Sequence, residues 1–253
     1  MKQISLSKIT KKGKALYLAY DQGLEHGPSE DFNDKNVSPL YILDIAKKGK
    51  YNGLIFQKGI AEKYNKEIRK SKVPLIIKLN GKTSLYEGEP YSPRLCTANE
   101  AIKLGASAVG YTIYIGSRFE GKMFKEFEEV EKEAHKKNIP VVAWIYPRGK
   151  NIKNPNSGEM MAYAARTGLE LGADIVKMKS SGKTSDLRWA VKSAGKTRIV
   201  ISGGEKKSEK AFLSEVRNSM KSGVAGFAVG RNVWQAKNPL EITKKIQSIV
   251  FGN

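Results

Sequence analysis

Cysteine and histidine are almost missing from this sequence of 253 residues. The single Cys96 excludes an intramolecular disulfide framework and a cysteine-rich metal site. The two histidines, His26 and His135, stand far apart in the chain, which argues against a His-based zinc centre. No metal and no cofactor is therefore expected. No run approaches the roughly 18 apolar residues of a membrane span. The start, Met1-Lys2-Gln3-Ile4-Ser5, lacks the apolar stretch of a secretory leader. These absences predict no membrane association and a reducing, cytoplasmic setting.

Arginine is also scarce. The basic residues number 45 against 25 acidic ones, a net charge of +20, yet only nine are Arg and 36 are Lys. Such a charge raises the possibility of nucleic-acid binding. Side chains suited to bidentate phosphate or base contacts are nevertheless the minority. The lysines are spread along the chain as short pairs, such as Lys11-Lys12, Lys47-Lys48 and Lys136-Lys137. Many have acidic neighbours, as in Glu128-Glu129-Val130-Glu131-Lys132-Glu133. This pattern reads as solvated helix faces, with nucleic acid the lesser alternative. A positive field also draws in small anionic substrates such as sugar phosphates.

What is present is an alternation. Short apolar, β-branched runs lie at 15–21, 52–57, 73–79, 106–114, 141–146, 173–179, 198–202 and 226–229. Each is followed by a stretch with helical spacing or helix-start residues. Phe124, Phe127, Val130 and Ala134 recur at intervals of three or four, as do Met160, Tyr163, Ala164 and Leu171. Strands alternating with helices predict parallel βαβ units. A barrel of eight such units needs about 250 residues. With no linker-like stretch in the chain, residues 1–253 are expected to form a single (β/α)₈ TIM barrel. Leu104-Gly105-Ala106 and Leu171-Gly172-Ala173 each read as a helix end, a glycine cap and a strand start. Residues 149–158, rich in Gly, Asn and Pro, predict a longer loop after the fifth strand.

In a parallel barrel the reactive groups sit at the C-terminal strand ends. Those ends are polar here: Asp21, Gln57, Lys78 with Asn80, Tyr111 to Tyr114, Trp144 to Arg148, Lys177 with Lys179, Ser202, and Gly230-Arg231. Lys177 and Lys179 share parity on the sixth strand and so share a face. They could be two surface lysines in a lysine-rich chain. A central strand covered on both sides has little solvated surface, however. An amine held there near another cation loses proton affinity, and its neutral form attacks carbonyls. Parity alone leaves both lysines open as the nucleophile.

Trp144, Tyr146 and Arg148 also share parity, which places an aromatic ring, a phenol and a guanidinium on one face. A tyrosine there can act as a general acid or base if nearby cations lower its pKa. Ser202-Gly203-Gly204 and Gly230-Arg231 end the seventh and eighth strands, where such barrels commonly bind phosphate. Glycines there let backbone N–H groups approach an anion. Asp21 ends the first strand and could orient hydroxyls or move protons. Glu25 and His26 follow it in a loop, where structural roles are as plausible.

Together these segments resemble the archaeal-type class I fructose-1,6-bisphosphate aldolases, over roughly residues 12 to 251. The resemblance rests on Leu18-Ala19-Tyr20-Asp21-Gln22-Gly23-Leu24-Glu25-His26-Gly27-Pro28, Leu79-Asn80-Gly81-Lys82-Thr83, Gly110-Tyr111-Thr112-Ile113-Tyr114, 144–149, Lys177, Ser202-Gly203-Gly204, and Val229-Gly230-Arg231-Asn232-Val233-Trp234. It implies a Schiff base on Lys177 rather than Lys179. It implies Tyr146 as proton donor and acceptor, and Asp21 as a partner in proton and hydroxyl contacts. Trp144, Arg148, Gln22, Met178 and Lys179 are implied around the substrate. Ser202, Gly203, Gly204, Gly230 and Arg231 are implied at a phosphate. Metal-independent cleavage of fructose 1,6-bisphosphate follows, as does a homo-oligomer, in some members a decamer. Position 22 is Gln where some members carry His, so no catalysis is expected of it. Related lysine enzymes on the same barrel include 2-amino-3,7-dideoxy-D-threo-hept-6-ulosonate synthase and an enzyme acting on a phosphorylated quorum signal. Trp144 and the 79–83 segment favour the fructose-bisphosphate enzyme.

Overall fold

The computed structural model describes residues 4–27 and 31–252. Met1, Lys2, Gln3 and Pro28, which entered the sequence reading, lie outside the described residues.

The apolar runs become eight parallel strands: β1 (Ala15–Ala19), β2 (Gly53–Gln57), β3 (Leu75–Lys78), β4 (Ala106–Ile115), β5 (Val141–Pro147), β6 (Ile175–Met178), β7 (Arg198–Ser202) and β8 (Gly226–Val229). They pair in chain order, and β8 pairs with β1 to close a barrel. Between and after them run α1 (Gly23–His26), α2 (Pro39–Lys48), α3 (Lys58–Lys63), α4 (Asn65–Ser71), α5 (Ala98–Lys103), α6 (Glu120–Lys136), α7 (Gly158–Glu170), α8 (Thr184–Ser193), α9 (Glu209–Met220), α10 (Arg231–Trp234) and α11 (Pro239–Phe251). This is the (β/α)₈ barrel expected from the alternation.

Closure divides the core in two. Ala15, Tyr17, Ile55, Ile76, Ala108, Val142, Trp144, Ile175 and Val200 fill the barrel interior. Residues of the opposite parity, such as Leu16, Leu54, Ile77, Val176 and Ile201, pack outward against the helices. Ile9, fully buried, joins the interior cluster, with Leu6 packed against it. Burying a strand on both faces is what makes its sequence read as a continuous apolar run.

Local chemistry starts and stops the helices. Thr97 and Glu100 form a reciprocal capping box at α5. The Ser157 and Ser208 hydroxyls accept from Met160 N and Ala211 N at the starts of α7 and α9. Gly105 and Gly172 follow α5 and α7 with φ of +94° and +79°, the left-handed geometry that side chains resist. The apolar stripe of α6 is the expected one, with Phe127, Val130 and Ala134 buried. On α7 it is rotated from the sequence reading: Met161, Ala164 and Ala165 are buried, whereas Tyr163 is 62% exposed.

The loop after β5 is present, but a longer one, residues 79–97, follows β3, where Asn80-Gly81, Gly88, Pro90 and Pro93 are turn residues that the strand–helix alternation does not register. Buried Asn80 ties it down. Its Nδ2 donates to Ser92 O (2.9 Å) and Thr112 O (2.8 Å), and its Oδ1 accepts from Thr112 N (2.7 Å). Further along, Tyr91 and Tyr111 both donate to Glu126, at 2.6 and 2.7 Å. No described helix is long and apolar enough to cross a membrane.

Candidate active site

A cavity of about 340 Å³ opens at the C-terminal ends of the strands. Its lining brings together Asp21, Gln22, Trp144, Tyr146, Arg148, Lys177, Lys179, Ser202, Gly203, Gly204, Gly230 and Arg231, all expected from the sequence. Met178 is not among them. It has the parity opposite to Lys177, so it packs in the strand–helix layer and borders a smaller cavity with Pro155 and Met161. Its side chain does not line the larger cavity.

Barrel register sets the floor. Trp144 on β5 lies beside Lys177 on β6, and the Lys177 Nζ stands 4.8 Å from the indole ring centroid. The indole fits because residue 110 on β4 is glycine: a Cβ there would come within 1.7 Å of Trp144 Cζ3. Lys177 is 5% exposed, whereas Lys179, past the end of β6, is exposed at the mouth. The structure therefore separates two lysines that parity left equivalent.

Asp21, buried just beyond β1, faces two amines. Its Oδ1 is 3.9 Å from Lys177 Nζ and its Oδ2 is 3.5 Å from Lys78 Nζ. Burial alone would raise the Asp21 pKa, but the two ammoniums outweigh it and hold the carboxyl below its ordinary value. Burial lowers the Lys177 pKa to about 8; Asp21 opposes the shift and Lys78 adds to it. About a tenth of the amine is then neutral at pH 7. Lys78 was legible only as a polar strand end; its place beside Asp21 depends on the closure of the barrel.

At Tyr146 the cations do not lower the pKa. Burial, then the Asp21 and Glu25 carboxylates, push its pKa up, and Arg148 only partly offsets them. The resting phenol is thus a held proton rather than a phenolate base. Gln22 Nε2 and Trp144 Nε1 are buried donors with no hydrogen-bond partner among the described residues. Donors of this kind suit the oxygens of a polyhydroxylated ligand.

Two guanidiniums stand at the rim, each paired with a carboxylate. Arg148 Nη1 donates to Glu25 Oε1 at 3.1 Å and stacks over Tyr114 and Tyr146. Arg231 Nη1 donates to Asp31 Oδ1 at 3.2 Å, and His26 Nδ1 meets the other oxygen of Asp31 at 3.0 Å. Both acids come from the segment after β1. Gly204 adopts φ of +65° in the turn after β7. The Gly203 N–H is already engaged, donating to Ala228 O at 2.9 Å, so it shapes the turn and is not a free donor. Asn232, which sequence reasoning placed only within a motif, joins the two rim loops: its Nδ2 donates to Gly203 O and Glu205 O at 2.9 and 2.8 Å. The 79–83 segment serves the fold rather than the cavity, through the Asn80 bonds. Lys82 is half-buried and donates to Thr83 O.

A buried amine of lowered basicity, beneath two rim arginines on a (β/α)₈ barrel, defines the class of lysine-bearing barrel aldolases. The chain belongs to the DeoC/LacD family of aldolases, whose model matches residues 15–236. It is 49% identical over 247 residues to the class 1 fructose-bisphosphate aldolase of Thermoproteus tenax, covering 96% of this chain and 92% of that one. It is 42% identical to the enzyme of the same name from Halobacterium salinarum, covering 99% of this chain and 95% of that one. It is also similar to a solved archaeal fructose-1,6-bisphosphate aldolase whose catalytic Lys is covalently bound to the carbinolamine intermediate of the substrate. The TM-score is 0.92 and the identity 46%, over 98% of both chains.

Proposed function

We propose that this chain is a class I fructose-1,6-bisphosphate aldolase, acting through a Schiff base on Lys177 as a single barrel domain over residues 1–253. The observation that carries the reading is the burial of one amine, Lys177, between Asp21 and Trp144 on the cavity floor. The relatives named above are fructose-bisphosphate aldolases, and the rim offers Arg148 and Arg231 to two phosphates.

Neutral Lys177 adds to the C2 carbonyl, giving a carbinolamine that loses water to form an iminium. The C3–C4 bond then breaks. Its electrons go to C3 as an enamine, and the C4 hydroxyl proton leaves through the Asp21 carboxylate or a water as glyceraldehyde 3-phosphate forms. Tyr146, held protonated, donates to the enamine at C3. Water hydrolyses the resulting iminium, releasing dihydroxyacetone phosphate and the free amine. Gln22, Trp144 and Lys179 contact the sugar. Ser202, the turn at 203–204, Gly230 and Arg231 hold one phosphate. All steps reverse, so the enzyme serves glycolysis or gluconeogenesis. The active form is a homo-oligomer, in the cytoplasm.

Borohydride trapping with dihydroxyacetone phosphate, followed by peptide mass mapping, tests this. The expected label is on Lys177. A label on Lys179, or full activity in excess chelator with no label, would sink the assignment.

A further inference from the structure

Lys78 is 5% exposed, and its only ion-pair partner among the described residues is Asp21, at 3.5 Å. A buried ammonium is costly to desolvate, and an apolar side chain at the end of β3 would avoid that cost. Its cross-strand neighbours, Gln57 and Gly110, carry no charge that would require it. The lysine is therefore matched to Asp21 and not to its own sheet neighbours.

The reason lies one residue away. Asp21 shares its carboxylate between Lys78 at 3.5 Å and Lys177 at 3.9 Å. With both amines protonated, the buried trio carries an uncompensated positive charge. That excess is relieved when the amine with the longer contact, Lys177, loses its proton. The Trp144 ring works the other way, since a π face favours the cation. Lys177 is also faced by Glu25 from α1, by Tyr146 and Arg148 from β5 and its end, and by Lys179 beyond its own strand. The loops after β7 and β8 bring Glu205 and Arg231 to the same cavity.

We propose that Lys78 is a positioning residue for the aldolase reaction: its buried ammonium claims the Asp21 carboxylate and leaves the Lys177 amine free to lose its proton. The inference rests on the proposed Schiff-base role of Lys177. Without Lys78, Asp21 pairs with Lys177 alone, the second ammonium is gone, and Lys177 keeps its proton to higher pH.

The test follows the basicity of Lys177 directly and needs no sugar phosphate. Brief pulses of acetic anhydride over a pH series, with peptide mass mapping, read Lys177 reactivity against exposed lysines of the same full-length chain. In the unaltered protein the rise has its midpoint near pH 8. In Lys78→Met the midpoint moves up by about one pH unit, so labelling at neutral pH falls about tenfold and recovers in alkali. Lys78→Arg keeps the original profile. Turnover at neutral pH falls about tenfold in the Met variant, with KM changed less. Should Met at 78 prevent folding, Lys78→Gln carries the same expectation. A folded neutral variant whose midpoint does not move, or that loses reactivity by one factor at every pH, overturns the proposal. A midpoint near pH 8 without any borohydride adduct on Lys177 overturns the Schiff-base reading and not this one.

Discussion

Replacing Lys177 with Met should abolish imine chemistry and stabilise the protein. The side chain is buried, and its pKa falls from 10.5 to about 8 in the folded state. A folded pKa below the unfolded one means that the native state binds the proton less tightly. The penalty is fully present below about pH 8, shrinks as pH rises towards 10.5, and is gone above it. At roughly 1.4 kcal/mol per pH unit, the shift corresponds to about 3 kcal/mol of stability that the native protein forgoes at neutral pH. Met is similar in length, fills the floor beside Trp144, and leaves Asp21 paired with Lys78. Guanidinium unfolding of both proteins, at neutral pH and again above pH 10.5, measures the difference. The Met variant should be the more stable by up to about 3 kcal/mol at neutral pH, and the gap should close in alkali. A variant that is less stable at neutral pH, or a gap independent of pH, would refute the reading of Lys177 as an amine desolvated at the expense of stability.

Tyr146→Phe should retain the borohydride adduct on Lys177 while turnover drops by about 100-fold, since only a proton transfer is lost; single-turnover kinetics checks this, and normal turnover excludes Tyr146 as the donor. Gly110→Ala should destabilise by about 1–3 kcal/mol, because the new Cβ meets the fully packed Trp144 ring. The displaced indole should also lower kcat/KM, so a variant with unchanged melting temperature and activity contradicts the packing described. His135 bridges Asp174 at 2.9 Å and Glu131, and its pKa is raised, first by the Asp174 hydrogen bond. That stabilisation is fully present below the unfolded value of about 6.5 and is lost as pH rises through the folded value. His135→Gln should therefore cost more stability in mild acid than in alkali; thermal melts at both pH values decide it, and an equal cost at both opposes the ion-pair account.

Much of the barrel was legible because its signals are local. The apolar runs at 106–114 and 141–146 lie within β4 and β5 almost residue for residue, since strands buried on both faces require uninterrupted apolar sequence. Gly105 and Gly172 marked helix ends because the left-handed turn needs no partner beyond its own backbone. Parity likewise placed Trp144, Tyr146 and Lys177 on the interior face. The α7 stripe was misread because Tyr163 is apolar enough to count as core but sits on the outer side of its helix. The length of the loop 79–97 was missed although Asn80-Gly81, Gly88, Pro90 and Pro93 punctuate it, because the side-chain bonds that anchor it to β4 and α6 form only in the fold.

The sequence by itself determined the fold class, the strand ends that form the rim, and a choice between two lysines. The family resemblance favoured Lys177, and the tertiary structure shows what physically sets the two apart. Lys177 is enclosed by Asp21 just beyond β1, Lys78 at the end of β3 and Trp144 within β5, while Lys179 reaches the mouth. The same closure raised the Tyr146 pKa, first through burial and then through two carboxylates from the segment after β1 that Arg148 only partly offsets. It also brought Lys78 and Lys177 to the same Asp21 carboxylate. Periodicity follows from one residue's relation to the next, so it can be read along the chain. Basicity depends on desolvation and on charges brought together from distant strands, and these exist only once the barrel has closed.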